Sequence, residues 1–160
     1  MGITIVTGPR DSGKTRTASD MACRFQAEGR RVAGVLSIAE LRDGVKTGYA
    51  FQDLGSRQSV PYARRRPDPV PPGEPGFEFL DAGMDFGRAA IRRGCADGVD
   101  ALFVDEAGPL EMGGEGLWEP LWEARASLDG ELVVTVRPGL LAELLVRLAV
   151  RPEEARIIRL

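Results

Sequence analysis

The 160-residue sequence contains no histidine. That absence excludes Ser-His-Asp and Cys-His nucleophilic catalysis, histidine acid-base chemistry and His-ligated zinc. Any catalysis must therefore use carboxylates, Lys, Arg, hydroxyls, backbone amides or a bound metal. Cysteine is scarce. Cys23 and Cys95 lie far apart without a companion at metal-ligand spacing, and they do not make a secreted disulfide framework. Lysine occurs only at Lys14 and Lys46. No apolar run approaches the roughly 18 residues that span a bilayer. The first residues, Met1 to Val6, lack a basic lead-in and a cleavage-site pattern, so they read as a core strand and not a signal peptide. The expectation is a cytoplasmic protein without a membrane partner. A net charge of −3 and a pI near 5.1 also weigh against a nucleic-acid partner, which calls for a basic stripe. Arg64, Arg65 and Arg66 form only a local basic cluster.

What the sequence does contain is ordinary globular material, 43% hydrophobic and 28% charged. A chain this long is expected to form one domain over residues 1–160, burying roughly two-thirds of its unfolded surface. Ile3 to Thr7 is β-branched and ends at a glycine, which predicts a buried strand. Ala18, Met21, Ala22 and Phe25 recur at helical spacing between Lys14 and about Gln26, and Gly29 ends that helix. Val32 to Ile38 predicts a second strand. The resulting strand, glycine loop, helix and strand form a βαβ opening and imply a parallel sheet.

Residues 37–64 carry turn signals at Asp43-Gly44 and Gly55-Ser56-Arg57, which predict an antiparallel β meander inserted into this frame. Five prolines between Pro67 and Pro75 make residues 67–76 a surface loop, either a lid or an inert linker. Beyond it, strands at 77–80, 101–105, 132–136 and 156–159 alternate with helices at about 84–95, 117–127 and 140–148. The fold class is α/β, with a mostly parallel sheet and helices on both faces. Phe25, Phe79 and Phe86 are expected in the core, and Trp118 and Trp122 at core or interface positions of one helix.

The segment Gly8-Pro9-Arg10-Asp11-Ser12-Gly13-Lys14-Thr15 matches GxxxxGK[ST] in full. Glycines at these places let successive backbone N–H groups turn inward on a phosphate chain, and the following helix adds its N-terminal dipole. Lys14 supplies a charge for the β- and γ-phosphates. Thr15 offers a hydroxyl to Mg²⁺, a cation that prefers oxygen ligands. The motif stands between a predicted strand and a predicted helix, as its mechanism demands. All eight residues are candidate nucleotide ligands.

The apolar run Ala101-Leu102-Phe103-Val104 ends in Asp105 and Glu106. A carboxylate at the end of a neighbouring strand is the second anchor that Mg²⁺ needs, which makes Asp105 a metal candidate alongside Thr15. Glu106 is placed to orient and deprotonate an attacking water. With the residues that follow, Val104-Asp105-Glu106-Ala107-Gly108-Pro109-Leu110-Glu111 resembles the "DEIGxME" signature of a family of small nucleoside-triphosphatases, known in vertebrates as cancer-related nucleoside-triphosphatase. The P-loop at the N-terminus, and Arg42-Asp43-Gly44 followed by Gly48-Tyr49, match that family in order and spacing. The resemblance implies a RecA-like P-loop fold and Mg²⁺-dependent hydrolysis of several nucleotides, ATP and GTP among them, with Lys14 and Glu106 catalytic. Two positions depart from the family. Ala107 replaces a usual isoleucine, and Arg137 stands where the family tends to place histidine.

The expected activity is release of the γ-phosphate from nucleoside triphosphates. No Asn/Thr-Lys-x-Asp motif is present, which argues against guanine selectivity. Two other uses of the same loop stand beside this reading. One is a small-molecule kinase, with residues 64–76 as an arginine-bearing lid. The other is a nucleotide-binding adaptor or switch that recruits a protein partner while hydrolysis is incidental.

Overall fold

The computed structural model describes residues 1–160. Its first half comprises β1 (Gly2–Thr7), α1 (Lys14–Ala27), β2 (Val32–Arg42), β3 (Val45–Asp53), β4 (Ser59–Arg65), β5 (Phe77–Phe79) and α2 (Asp81–Ala96). The second half comprises β6 (Ala101–Ala107), α3 (Pro109–Met112), α4 (Trp118–Ser127), β7 (Glu131–Val136), α5 (Leu141–Arg147) and β8 (Arg156–Arg159), with short 3₁₀ turns at Pro138–Leu140 and Pro152–Glu154. All eight strands join one sheet in the order β5-β4-β3-β2-β6-β7-β1-β8. The strands β2, β6, β7, β1 and β8 run parallel, and β3, β4 and β5 extend the β2 edge as an antiparallel meander.

Alternation along the strands sorts the core into two layers. On β6, Leu102 and Val104 face one cluster while Ala101 and Phe103 face the other. On β7, Leu132, Val134 and Val136 oppose Val133 in the same way. The smaller cluster lies under α1, where Ala18, Met21, Ala22 and Phe25 form the apolar stripe read from the sequence. The larger one collects Ile91 of α2, Leu121 of α4 and Leu144 of α5. Helices therefore cover both faces, the condition that parallel strands require. Cys23 is exposed on α1 and Cys95 sits on α2, both as free thiols.

The meander is less an insertion than a prolongation of the main sheet. Val32 to Val35 pair with β6, and from Val35 onward the same strand pairs with β3. Strand β2 therefore runs to Arg42, longer than the sequence suggests, and carries its hairpin beyond the end of its pairing with β6. The 67–76 segment forms the expected irregular loop, closed at its base by a bond from Arg66 N–H to the Gly76 carbonyl. Helix α2 begins at Asp81, earlier than its apolar spacing implies. The one-turn α3 has too few residues for a periodicity signal.

Gly34 permits the close approach of β2 to the backbone of β6. It has φ +104°, and a Cβ there would meet the Phe103 carbonyl oxygen at 2.0 Å. Both the left-handed backbone and the overlap penalise a side chain. Gly34→Ala is expected to lower unfolding stability by at least about 2 kcal/mol. Urea titration should read this as a lower midpoint at unchanged slope, and an unchanged midpoint would refute the close-approach argument.

Candidate functional site

The GxxxxGK[ST] segment forms the turn between β1 and α1. Gly13 is the N-cap of α1, in the left-handed region at φ +93°. Within the loop, the backbone N–H groups of Asp11, Gly13, Lys14 and Thr15 find no acceptor in the protein. The Thr7 and Ser12 hydroxyls are buried without a hydrogen-bond partner. Lys14 is only 5% exposed, and its Nζ donates to the Pro9 carbonyl at 2.9 Å, folded back across its own loop. A concave turn rich in unspent donors is the chemistry that suits a polyphosphate.

Asp105, at the end of β6, is the polar hub of the site and is 1% exposed. Its Oδ2 accepts from Thr15 Oγ1 at 2.7 Å and from the Ser37 backbone N–H at 2.9 Å. Its Oδ1 accepts from the Thr135 hydroxyl. Four elements thus converge on one carboxylate: α1, β2, β6 and β7. Burial pushes its pKa above the ordinary carboxylate range, against the opposing pull of Thr135, Ser37 and Thr15, and the neighbouring Glu106 charge raises it further. No basic side chain pairs with it. The sequence signal put Thr15 and Asp105 in one site, and the structure brings them into direct contact.

Glu106 follows on a break in the ladder. The β6–β7 pairing slips between Val104 and Ala107. Glu106 itself takes φ +63°, and its N–H donates to Thr135 Oγ1 at 2.8 Å. Such a bulge re-aims a side chain, and a left-handed conformation at a non-glycine residue costs about 1–3 kcal/mol. Thr135 secures both acidic positions, since its hydroxyl also reaches Asp105. Neither Thr135 nor Ser37 is a sequence-level candidate, although each is the lone polar residue within an apolar strand run.

Glu111 holds the segment beyond the bulge. Its carboxylate accepts from the Gly108 and Leu117 backbone N–H groups at 2.8 and 2.9 Å. Burial raises its pKa despite those two bonds. The acid that ends the signature motif is therefore a buried brace for residues 108–117.

The arginine cluster separates by use. Arg64 pairs with Glu78, Arg65 with Asp68 and Arg66 with Glu74, so all three tie β4 to β5 and to the proline loop. Arg10 and Arg137 form no ion pair, and both line a cleft of about 540 Å³ that Glu106 also borders. Lys46 bridges to Asp11 at 3.6 Å across the mouth of this cleft, so both lysines of the chain lie at this end of the sheet. Phe79, expected in the core, is instead 48% exposed because β5 is an edge strand, and its ring forms part of the cleft wall. Trp118 packs on the core while Trp122 is 44% exposed, and neither reaches the cleft.

A phosphate-loop turn after β1, an acidic pair near the end of β6, and β7 lying between those strands define a RecA-like P-loop NTPase fold. Residues 3–156 match the family described as NTPase, and the chain belongs to that family. No curated protein matches the chain. Among solved structures, the solution structure of a human cancer-related nucleoside triphosphatase is similar with a TM-score of 0.76 and 16% identity, covering 100% of this chain and 89% of that one. At that identity the likeness concerns the fold.

The roles of Thr135 and Glu106 in stability differ in sign. Thr135→Val keeps the shape but leaves Glu106 N–H without its acceptor and removes one donor from Asp105, which should cost about 1–3 kcal/mol. Glu106→Gly relieves the left-handed strain and should leave the denaturation midpoint at or above wild type. A midpoint for Glu106→Gly clearly below wild type would show that relief of strain does not govern this position.

Proposed function

We propose that the protein is a Mg²⁺-dependent nucleoside-triphosphate phosphohydrolase that releases the γ-phosphate and accepts several nucleotides, carried by a single nucleotide-binding unit over residues 1–160. The observation that carries this reading is the juxtaposition of three parts: a turn of unspent donors, the Thr15–Asp105 contact, and Glu106 held out on a bulge. Family membership supports the class of chemistry.

The donor set suits magnesium. Thr15 and Asp105 are both oxygen donors, and Asp105 is a buried carboxylate with no cationic partner. No group of three or more His, Cys, Asp or Glu side chains is present to cage a metal, so the remaining ligands would be triphosphate oxygens and water, as Mg²⁺ prefers. Bound there, Mg²⁺ supplies charge neutralisation on the β- and γ-phosphates.

The loop amides of Asp11, Gly13, Lys14 and Thr15 bind the phosphate chain, with Gly8, Pro9, Arg10 and Ser12 shaping the loop around it. Lys14 exchanges the Pro9 carbonyl for phosphate oxygens. Glu106 orients a water in line with the γ-phosphorus and takes its proton as the new P–O bond forms. The bond to the β-phosphate bridging oxygen breaks, and the nucleoside diphosphate departs with that electron pair. Positioning and fixed charge do most of this work. The chain has no guanine-selecting motif, and broad nucleotide use is what its resemblance to the family implies.

Of the two alternatives, the kinase reading gains from the cleft beside Glu106. It loses its arginine lid, because Arg64, Arg65 and Arg66 are engaged with carboxylates of the meander and loop. No observation favours a protein-recruiting switch over the hydrolase.

Phosphate release from ATP, GTP, CTP and UTP tests the proposal. Wild type should turn over all four with Mg²⁺ and none with excess chelator. Glu106→Gln should still bind nucleotide while losing about 10²–10⁴ in rate, the usual worth of a general base. Lys14→Ala should weaken binding as well as turnover. Tight nucleotide binding without phosphate release by wild type would sink the hydrolase reading.

A further inference from the structure

The cleft that Glu106 borders is not the phosphate loop. Neither Lys14 nor Thr15 lines it, and only the outer residues of the loop, Arg10 and Asp11, reach it. Its other walls come from β3, β4, β5, the end of the proline loop and the segment after β6. At about 540 Å³ it falls within the range of small-molecule sites. It also holds an unusual share of the aromatic residues in a chain that is only 6% aromatic: Tyr49, Phe51, Tyr62, Phe77 and Phe79 all line it.

These rings are arranged as a wall. Phe51 and Tyr62 stack at 3.7 Å, and Tyr49 packs on Phe77 with centroids 5.5 Å apart. Phe79 offers an exposed ring on the edge strand. Arg10 and Arg137 line the same cleft, and no carboxylate of the protein pairs with either guanidinium. A cleft lined by aromatic rings and by unpaired guanidiniums suits a planar ring joined to an anion, because the rings offer apolar contact and Arg binds phosphate or carboxylate by paired N–H donors. The wall is also connected to the hub. Tyr62 OH lies 2.6 Å from Ser37 Oγ, and the Ser37 N–H donates to Asp105.

We propose that this cleft binds a second small ligand beside the nucleotide: a planar aromatic molecule carrying an anionic group, of the nucleoside-monophosphate class. The inference rests on the reading of residues 8–15 as the nucleoside-triphosphate site and adds a neighbour to it. The ring lies against the aromatic wall, the anion against Arg10 and Arg137, and the ligand stands between Glu106 and solvent.

Calorimetric titration of the protein already saturated with Mg²⁺ and β,γ-imido-ATP tests the proposal, with saturation by the analogue established first in a separate titration. The probes are AMP, GMP, CMP and UMP, with adenosine as ring alone and inorganic phosphate as anion alone. At least one monophosphate should bind the saturated protein at one equivalent, and at least tenfold tighter than adenosine or phosphate. Phe79→Ala and Arg137→Gln should each weaken that binding at least tenfold and leave analogue affinity unchanged; Phe79→Ala, at an exposed position, should also leave phosphate release unchanged.

Three results would overturn the proposal: no monophosphate binding to the saturated protein, binding that neither variant weakens, or monophosphate binding only when the analogue is absent. The last would mean that the cleft takes the base of the triphosphate itself. Failure of the analogue to bind at all would overturn the phosphate-loop reading and, with it, this one.

Discussion

A single buried carboxylate organises this molecule's working end. Asp105 sits where the β6–β7 ladder slips, and donors from α1, β2 and β7 close on it. A buried carboxylate with fewer donors would cost several kcal/mol in lost hydration, so the three contacts are what make its placement tolerable. They also fix geometry. The start of α1 is tied to the end of β6 through Thr15, and β7 is tied to both acidic positions through Thr135. The phosphate-loop turn and the Glu106 bulge are therefore linked by a chain of hydrogen bonds that runs from Thr15 through Asp105 and Thr135 to the Glu106 N–H.

The meander contributes a second constraint. Because β2 runs on past the end of its pairing with β6, the same strand carries the Ser37 N–H to Asp105 and continues as the support of an aromatic wall. Arg64, Arg65 and Arg66 then clamp the outer strands and the proline loop, each on its own carboxylate. Surface pairs of this kind add little individually. Three in succession at the end of β4 and just beyond it still give the outer strands and the proline loop a defined shape.

Much of the fold was legible in the sequence because its signals are local. The β-branched run before Gly8, the 3–4 spacing of Ala18, Met21, Ala22 and Phe25, and the apolar run before Asp105 each depend on neighbours along the chain. The pairing of Thr15 with Asp105 was also legible, since the glycine-loop motif demands a second oxygen donor on a nearby strand. Features set by tertiary register were not. Thr135 and Ser37 become ligands of Asp105 only once β7 and β2 flank β6. Phe79 looks like a core residue until β5 proves to be the sheet's edge. The left-handed state of Glu106 has no residue-type signature, because glutamate is not a residue that favours it.

The two ends of the sheet carry a consequence for life in concentrated solution. An eight-stranded sheet has two open borders, and here they are β5, three residues long, and β8, four residues long. The first carries Glu78 at its centre and the second is bracketed by Arg156 and Arg159. Short, charged borders offer a neighbouring molecule little backbone to pair with. The long apolar strands β6, β7 and β1 are all interior, out of reach of intermolecular strand pairing. Strand order and the short, charged borders thus work together against self-association through backbone ladders.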